Sequence, residues 1–327
     1  MKGYKAFKKG LVCRGFQFKE NEVFEEYSAK ICEKGFHFCK NPLDTLDYYD
    51  LVYSDGNLTE FAEIEALDEV LTDDDKKYCT KKIKIGSKLD LGDFIKASFE
   101  YISESAKKDN PDCKVLKRVK DDSKLASSGN NSKLASSGYN SQLASSGNNS
   151  QLASSGYNSK LASSGNDSKL ASSGNNSKLA SSGNNSQLAS SGNNSQLASS
   201  GNDSKLASSG NDSKLASSGN NSQLASSGND SKLASSGNNS QLASSGYNSK
   251  LASSGYNSRI ELNGKNNVGA NISINGLIKG KIGSWITLAE YDKNNVCICV
   301  KSAQIDGADL KEDTFYKLKN GNFEEVK

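Results

Sequence analysis

The 327-residue sequence is short of the features that most function classes require. It has no run of about 18 apolar residues, so no membrane-spanning helix is expected. No apolar segment follows the lysine-rich stretch Met1–Gly10, so no secretory signal is expected either. Histidine occurs once, at His37, and no Ser-His-Asp order, phosphate loop or paired-carboxylate motif is present. The seven cysteines (13, 32, 39, 79, 113, 297 and 299) are odd in number and scattered, which fits reduced thiols in a cytoplasmic setting. The net charge of +3 is too small to signal nucleic-acid binding. Hydrophobic residues make up 34%, below the roughly 45–50% apolar share (counting Gly) of ordinary domains, and mean hydropathy is −0.66. A large conventional core is therefore excluded for much of the chain.

What is abundant is repetition. From Ser123 to Asn257 the unit Ser-[Lys/Gln]-Leu-Ala-Ser-Ser-Gly-[Asn/Tyr]-[Asn/Asp] runs fifteen times without a slip. Its leucines are Leu125, Leu134, Leu143, Leu152, Leu161, Leu170, Leu179, Leu188, Leu197, Leu206, Leu215, Leu224, Leu233, Leu242 and Leu251. A flexible linker would not hold one leucine in phase so many times, whereas a solenoid requires it. Ser-Lys-Leu-Ala-Ser alternates, so Leu and its flanking serines point inward while Lys/Gln and Ala point outward. Ser-Gly-Asn-Asn supplies a corner: Gly tolerates positive φ and Asn tolerates the left-handed region. One unit is thus one strand and one corner. Two units close a coil of 18 residues around facing leucine ladders, giving seven to eight coils and a rod of roughly 36 Å. Inward serines are expected to bond one another or the corner backbone, and corner asparagines to form ladders between coils.

The variable positions add detail. Gln142, Gln151, Gln187, Gln196, Gln223 and Gln241 dilute the stacked lysines, and each corner Asp stands two residues before a Lys. Tyrosine replaces the corner Asn at Tyr139, Tyr157, Tyr247 and Tyr256, near the two ends, where it suits either stacking on a cap or docking of a partner. Calcium-binding nonapeptides need more Gly and Asp per unit than this array has. A flat Thr-rich ice-binding face and an acidic five-residue repeat are also absent.

The flanks are less regular. Residues 1–105 suggest a small α+β head, with Asn41-Pro42 capping a helix to about Tyr49, strands at Phe61–Ala66 and Lys81–Ile85, and a second helix over Asp93–Lys107. Residues 106–122 form a connector and a first irregular coil beginning near Val115. The solenoid proper covers 123–259. Residues 260–327 give two irregular closing coils and a β cap of two hairpins, Trp285–Tyr291 with Val296–Val300, and Tyr316–Lys319 with Asn322–Val326 about an Asn-Gly turn. An exposed solenoid end of this kind can pair with a second copy, so the cap is a candidate for homo-oligomer formation. Cys32, His37 and Cys39 follow no known zinc spacing, and no metal or cofactor is expected.

The runs Tyr4-Lys-Ala-Phe7, Cys13-Arg-Gly-Phe16, Gly35-Phe-His-Phe-Cys-Lys-Asn-Pro42 and Phe61-Ala-Glu-Ile-Glu65 resemble a domain of unknown function common in phage and prophage proteins of Gram-positive bacteria. That resemblance implies a mobile-element context and no set activity. A fainter one is to ADP-ribosyltransferases, through Arg14-Gly15, Gly35-Phe36-His37-Phe38 and Glu63 or Glu65. It implies an enzyme with Arg14, His37 and Glu63 as its site, although the Ser-Thr-Ser motif is missing and His37 stands where Tyr is expected. The leading expectation is a non-enzymatic phage-encoded protein. Its solenoid is a rigid scaffold, and its head or cap binds a protein partner. Inhibition of a host defence system is the further alternative.

Overall fold

The structure, a computed structural model, describes residues 1–49, 51, 59–73, 76–91, 93–95, 97–98, 101 and 115–326. Its centre is a two-sided parallel β-solenoid of about nine turns. Strands alternate strictly between two sheets. Val115–Arg118, Lys133–Ser136, Gln151–Ser154 and onward build one sheet, and Lys124–Ser127, Gln142–Ser145, Lys160–Ser163 and onward build the other. Pairing is parallel with a step of 18 residues, so Leu143 lies beside Leu161 and Ala144 beside Ala162. At about 4.8 Å per coil the rod is roughly 43 Å long.

The inward positions behave as the alternation requires. The fifteen leucines are all nearly fully buried and form one core with Ile260, Leu262, Ile278 and Ile286 beyond them. The inward serines close each corner: Ser145 Oγ donates to Ser150 Oγ at 2.8 Å, and Ser150 Oγ donates to the Gly147 carbonyl at 2.7 Å. Corner asparagines form ladders in which each Oδ1 accepts the backbone N–H one coil on, as Asn148 does from Asn166 and Asn166 from Asn184, both at 2.9 Å.

The corner divides its labour differently from the expectation. The left-handed residue is the Asn or Asp at the ninth position, with φ between 51° and 60° throughout the array. The array glycines do not have positive φ. They are required by proximity: a Cβ on Gly201 would lie 2.0 Å from the Gly183 carbonyl oxygen of the coil below. Coils stacked at strand spacing leave no room there for a side chain.

The head is a seven-stranded antiparallel sheet. Its strands are β1 (Lys2–Phe7), β2 (Val12–Cys13), β3 (Phe16–Gln17), β4 (Val23–Glu25), β5 (Phe36–Cys39), β6 (Glu60–Ala66), β7 (Val70–Thr72), β8 (Lys77–Thr80) and β9 (Lys82–Leu89). Seven of them are ordered β4-β9-β6-β1-β5-β8-β7, while β2 and β3 form a separate hairpin. The head is a β-sheet region in which helices are nearly absent among the described residues, so the α+β expectation holds only in small part. The Asn41-Pro42 signal yields a 3₁₀ helix, Pro42–Asp47, whose N-cap Asn41 side chain accepts from Leu43 N–H. Helical backbone is described at 91, 93–95, 97–98 and 101, and the remainder of the expected second helix, with Cys113, lies outside the described residues. The head's short alternating runs, such as Phe36–Cys39 and Lys77–Thr80, join one sheet, and only the two-residue strands β2 and β3 stay outside it.

The far end follows the sequence closely. Trp285–Tyr291 pairs antiparallel with Cys297–Gln304, and Phe315–Lys319 with Asn322–Val326. Asn320 and Gly321 both have positive φ, as a two-residue hairpin turn requires. No helix among the described residues is long and apolar enough to cross a membrane.

Candidate functional site

The head does not stand off the end of the rod. It lies along one solenoid sheet, and the outward alanines Ala144, Ala162, Ala180, Ala198 and Ala216 are buried against Ala6, Leu43, Leu46, Leu51, Phe61 and Phe94. Alanine suits this contact, since a row of methyl groups at strand spacing is nearly flat. Polar side chains frame it. Gln142 accepts from Asn41 Nδ2 and donates to Asp44 Oδ1, both at 2.8 Å. Lys160 Nζ pairs with Asp47 at 2.7 Å. Lys178 Nζ donates to the carbonyls of Leu46 and Tyr49, and Gln196 accepts from Leu51 N–H. The 3₁₀ helix and the residues after it are thereby fixed to the rod. On the opposite sheet the alanines from Ala153 to Ala225 are exposed and line a long trough with Ser137, Ser155, Ser173 and their successors.

Beside the fixed 3₁₀ helix the head holds a cleft of about 310 Å³. β1 contributes Tyr4 and Lys5, β5 contributes His37, Phe38 and Cys39, and the 3₁₀ segment contributes Thr45, Tyr48 and Tyr49. The β2–β3 hairpin brings Cys13, Arg14 and Phe16. Arg14 (φ 50°) and Gly15 (φ 80°) are the two turn residues of that hairpin, so the Arg-Gly pair is a turn tip that holds an exposed cation at the cleft. Phe18 packs edge-on against Phe7, Phe16, Phe24 and Phe36, with centroids 4.8–5.9 Å apart, and forms the aromatic floor.

Lys5 is the residue that the apolar pattern of β1 does not explain. It is 5% exposed. Its Nζ donates to the His37 carbonyl at 2.9 Å and lies 5.6 Å from the ring centres of both Phe7 and Phe18. Burial holds its pKa below the usual lysine value, with the Cys13 thiol beside it acting in the opposite direction. Cys13 Sγ in turn meets the Tyr49 hydroxyl at 2.9 Å.

His37 is tied rather than poised. Its Nε2 accepts the Cys32 N–H at 2.9 Å and the Gly35 backbone engages the ring as well. Burial, followed by the nearby charges of Lys5, Arg14 and Lys77, lowers its pKa to about 4. The ring is neutral at pH 7 and braces the 32–37 turn.

The structure brings Arg14 and His37 to one cleft but leaves Glu63 out of it. Glu63 lies on β6, opposite Tyr4, with its side chain exposed, and Glu65 is exposed two residues on. Cys32 and Cys39 both line the cleft, yet no three His, Cys, Asp or Glu side chains among the described residues come together as metal ligands. Burial raises the Cys39 thiol pKa to about 12. Of the four tyrosines, Tyr139 and Tyr157 are neighbours on one edge with ring centres 6.1 Å apart. Tyr247 is five coils along the same edge, about 24 Å away, and Tyr256 falls on the opposite edge, since it lies one unit rather than two from Tyr247. They do not make one site. Sequence reasoning missed Lys5, and its one available signal was a charge at an inward position of an alternating strand.

Residues 1–97 match a family described as Domain of unknown function (DUF7666). No curated protein and no solved structure matches the chain.

Proposed function

We propose that this is a non-enzymatic, phage- or prophage-encoded binding protein of the cytoplasm. In this reading the solenoid is a rigid scaffold and the head is its partner-binding element. The observation that carries it is the seating of the head across five successive alanines of one sheet, framed by Gln142, Lys160, Lys178 and Gln196. A spacer would need only a tether, whereas this contact fixes the head's orientation on the rod. The mobile-element setting rests on the resemblance of the head, and inhibition of a host defence system is one form such binding would take. The exposure of Glu63 away from Arg14 and His37 weighs against a transferase.

The cap supports self-association as a second contact. One terminal strand, Cys297–Gln304, carries one charge, Lys301, and leaves Ile298 and Val300 more than half exposed, as is Val296 just before it. The other terminal strand, Asn322–Val326, is guarded by Glu324 and Glu325.

Affinity capture from a host lysate, with the full chain and with a chain lacking residues 1–105, tests the main reading. A stoichiometric protein partner lost with the head is expected. Capture of no partner by either chain, or consumption of NAD by the full chain, would overturn it. Light scattering across a dilution series tests self-association, and a monomer at every concentration would remove it.

A further inference from the structure

We propose that the head cleft binds a small aromatic carboxylate, held by Lys5 and Arg14 against walls of phenylalanine and tyrosine. The inference goes beyond partner binding and stands or falls separately from it.

Lys5 is the first ground. A lysine in the interior of a sheet is costly unless its charge is paired. Among the described residues, the groups acting most strongly on Lys5 are two thiols and a guanidinium, and no carboxylate. One of its protons is taken by the His37 carbonyl. Aromatic faces and a thiol stabilise a cation far less than a carboxylate does. Lys5 nevertheless lines an open cleft, where an anion can reach it.

The surroundings specify the rest. Arg14 at the hairpin tip and Lys77 at the rim add positive charge, against Glu26 and Glu33 on the same lining. His37 is neutral, with Nε2 already engaged, so it neither competes for the anion nor supplies a counter-charge. The cleft's volume of about 310 Å³ is at the lower limit of ligand sites, room for one ring and its carboxylate. An inorganic ion would leave the exposed face of Phe16 at the cleft uncovered. A ring can pack on it edge-on or offset.

The lone histidine makes a direct assay available. The imidazole carbon-bound proton signals of the full-length protein come from His37 in the cleft, and the single indole N–H comes from Trp285 in the cap. Benzoate, its neutral isostere benzamide, acetate and inorganic phosphate are titrated in turn. The expected result is a saturable shift of His37 with benzoate while Trp285 stays fixed. Benzamide and acetate should each bind about tenfold more weakly or worse, the loss of one charge-assisted contact or of the ring contact. Lys5→Met should weaken benzoate about tenfold or more, and Arg14→Gln, an exposed change that spares the fold, about threefold. The proposal fails if His37 does not move, if benzamide matches benzoate, or if Arg14→Gln leaves the affinity unchanged. Phosphate binding as tight as benzoate would overturn the aromatic part and leave an inorganic-anion site.

Discussion

Replacing Gly201 by Ala puts the packing of the rod to a sharp test. The substitution usually stabilises where φ is ordinary, by about 0.4–1 kcal/mol, because it restricts the unfolded chain. Gly201 has no positive φ, so conformational preference alone predicts a neutral or favourable change. Proximity predicts the reverse. The new Cβ would sit 2.0 Å from the Gly183 oxygen and 2.5 Å from its carbon, both backbone atoms held in the neighbouring coil. Relief requires the two coils to part by more than an ångström at that corner. The bonds nearest the wedge are Asn202 N–H to Asn184 Oδ1 at 2.9 Å and Ser200 N–H to the Ser181 carbonyl at 3.1 Å. Overpacking costs about 1–3 kcal/mol, and the two bonds contribute about 1 kcal/mol each. A loss of about 3–5 kcal/mol follows. Gly129 is the internal control. It lies in the first described coil of its edge, and among the described residues a Cβ there meets only the Ser132 and Ser127 hydroxyls, at 3.3 and 3.7 Å. Gly129→Ala should therefore change stability by less than about 1 kcal/mol. Urea unfolding of both variants, with midpoints compared at constant slope, decides the matter. Equal midpoints for the two would refute the close-approach argument.

Three further outcomes are expected. Leu197→Ala, fully buried in the middle of the ladder, should cost about 3–5 kcal/mol in the same assay; a loss under about 1 kcal/mol would mean that the core is not held by leucine packing. Gln142→Ala removes a partner from both Asn41 and Asp44, which should cost about 2 kcal/mol and speed amide exchange across Pro42–Asp47. Unchanged exchange there would mean that the head is not fixed by this contact. The His37 titration, followed by proton NMR, should show a midpoint of about 4. Because the folded pKa lies below the unfolded value of 6.5, the unfolded chain takes up the proton first. Head stability from this group is therefore complete above about pH 6.5 and falls as pH drops toward 4. A midpoint near 6.5 would show that the ring is not tied into the 32–37 turn.

Much of the rod was legible because its determinants are local. The phase of Leu125 to Leu251 sets which positions face inward, and Asn320-Gly321 sets a hairpin, without reference to distant residues. The reason for glycine was not legible, because a crowding contact with a coil 18 residues away leaves no trace in the local pattern. Nor was the docked face. Gln142 and Gln187 stand in identical nonapeptides, yet one is buried under the head and the other is exposed. Only the parity of the unit separates them, and the head that breaks the symmetry is remote in sequence. The outward alanine was the available signal, being a small apolar residue where a solvated strand would carry a polar one. In the head, the Asn41 cap was readable from its own residues. The cleft was not, because it assembles β1, the β2–β3 hairpin, β5 and the 3₁₀ segment from four separate stretches.

Parity also governs how such a protein can change its length. Away from the rungs that hold the head the units are interchangeable, so gain or loss of two adjacent units alters the rod by one coil, about 4.8 Å, and restores the backbone ladders beyond the joint. Gain or loss of a single unit does something else. Each later strand passes to the opposite sheet and Tyr247 moves to the edge that held Tyr256, while the closing hairpins keep their own neighbours, Val268–Asn271 and Leu277–Gly280, and turn to the other side of the rod relative to the head. Only even steps outside the stretch under the head preserve the facing of the cap relative to the head. Even steps thus carry the cap along a ladder of discrete distances from the head with its facing preserved, whereas odd steps reverse that facing.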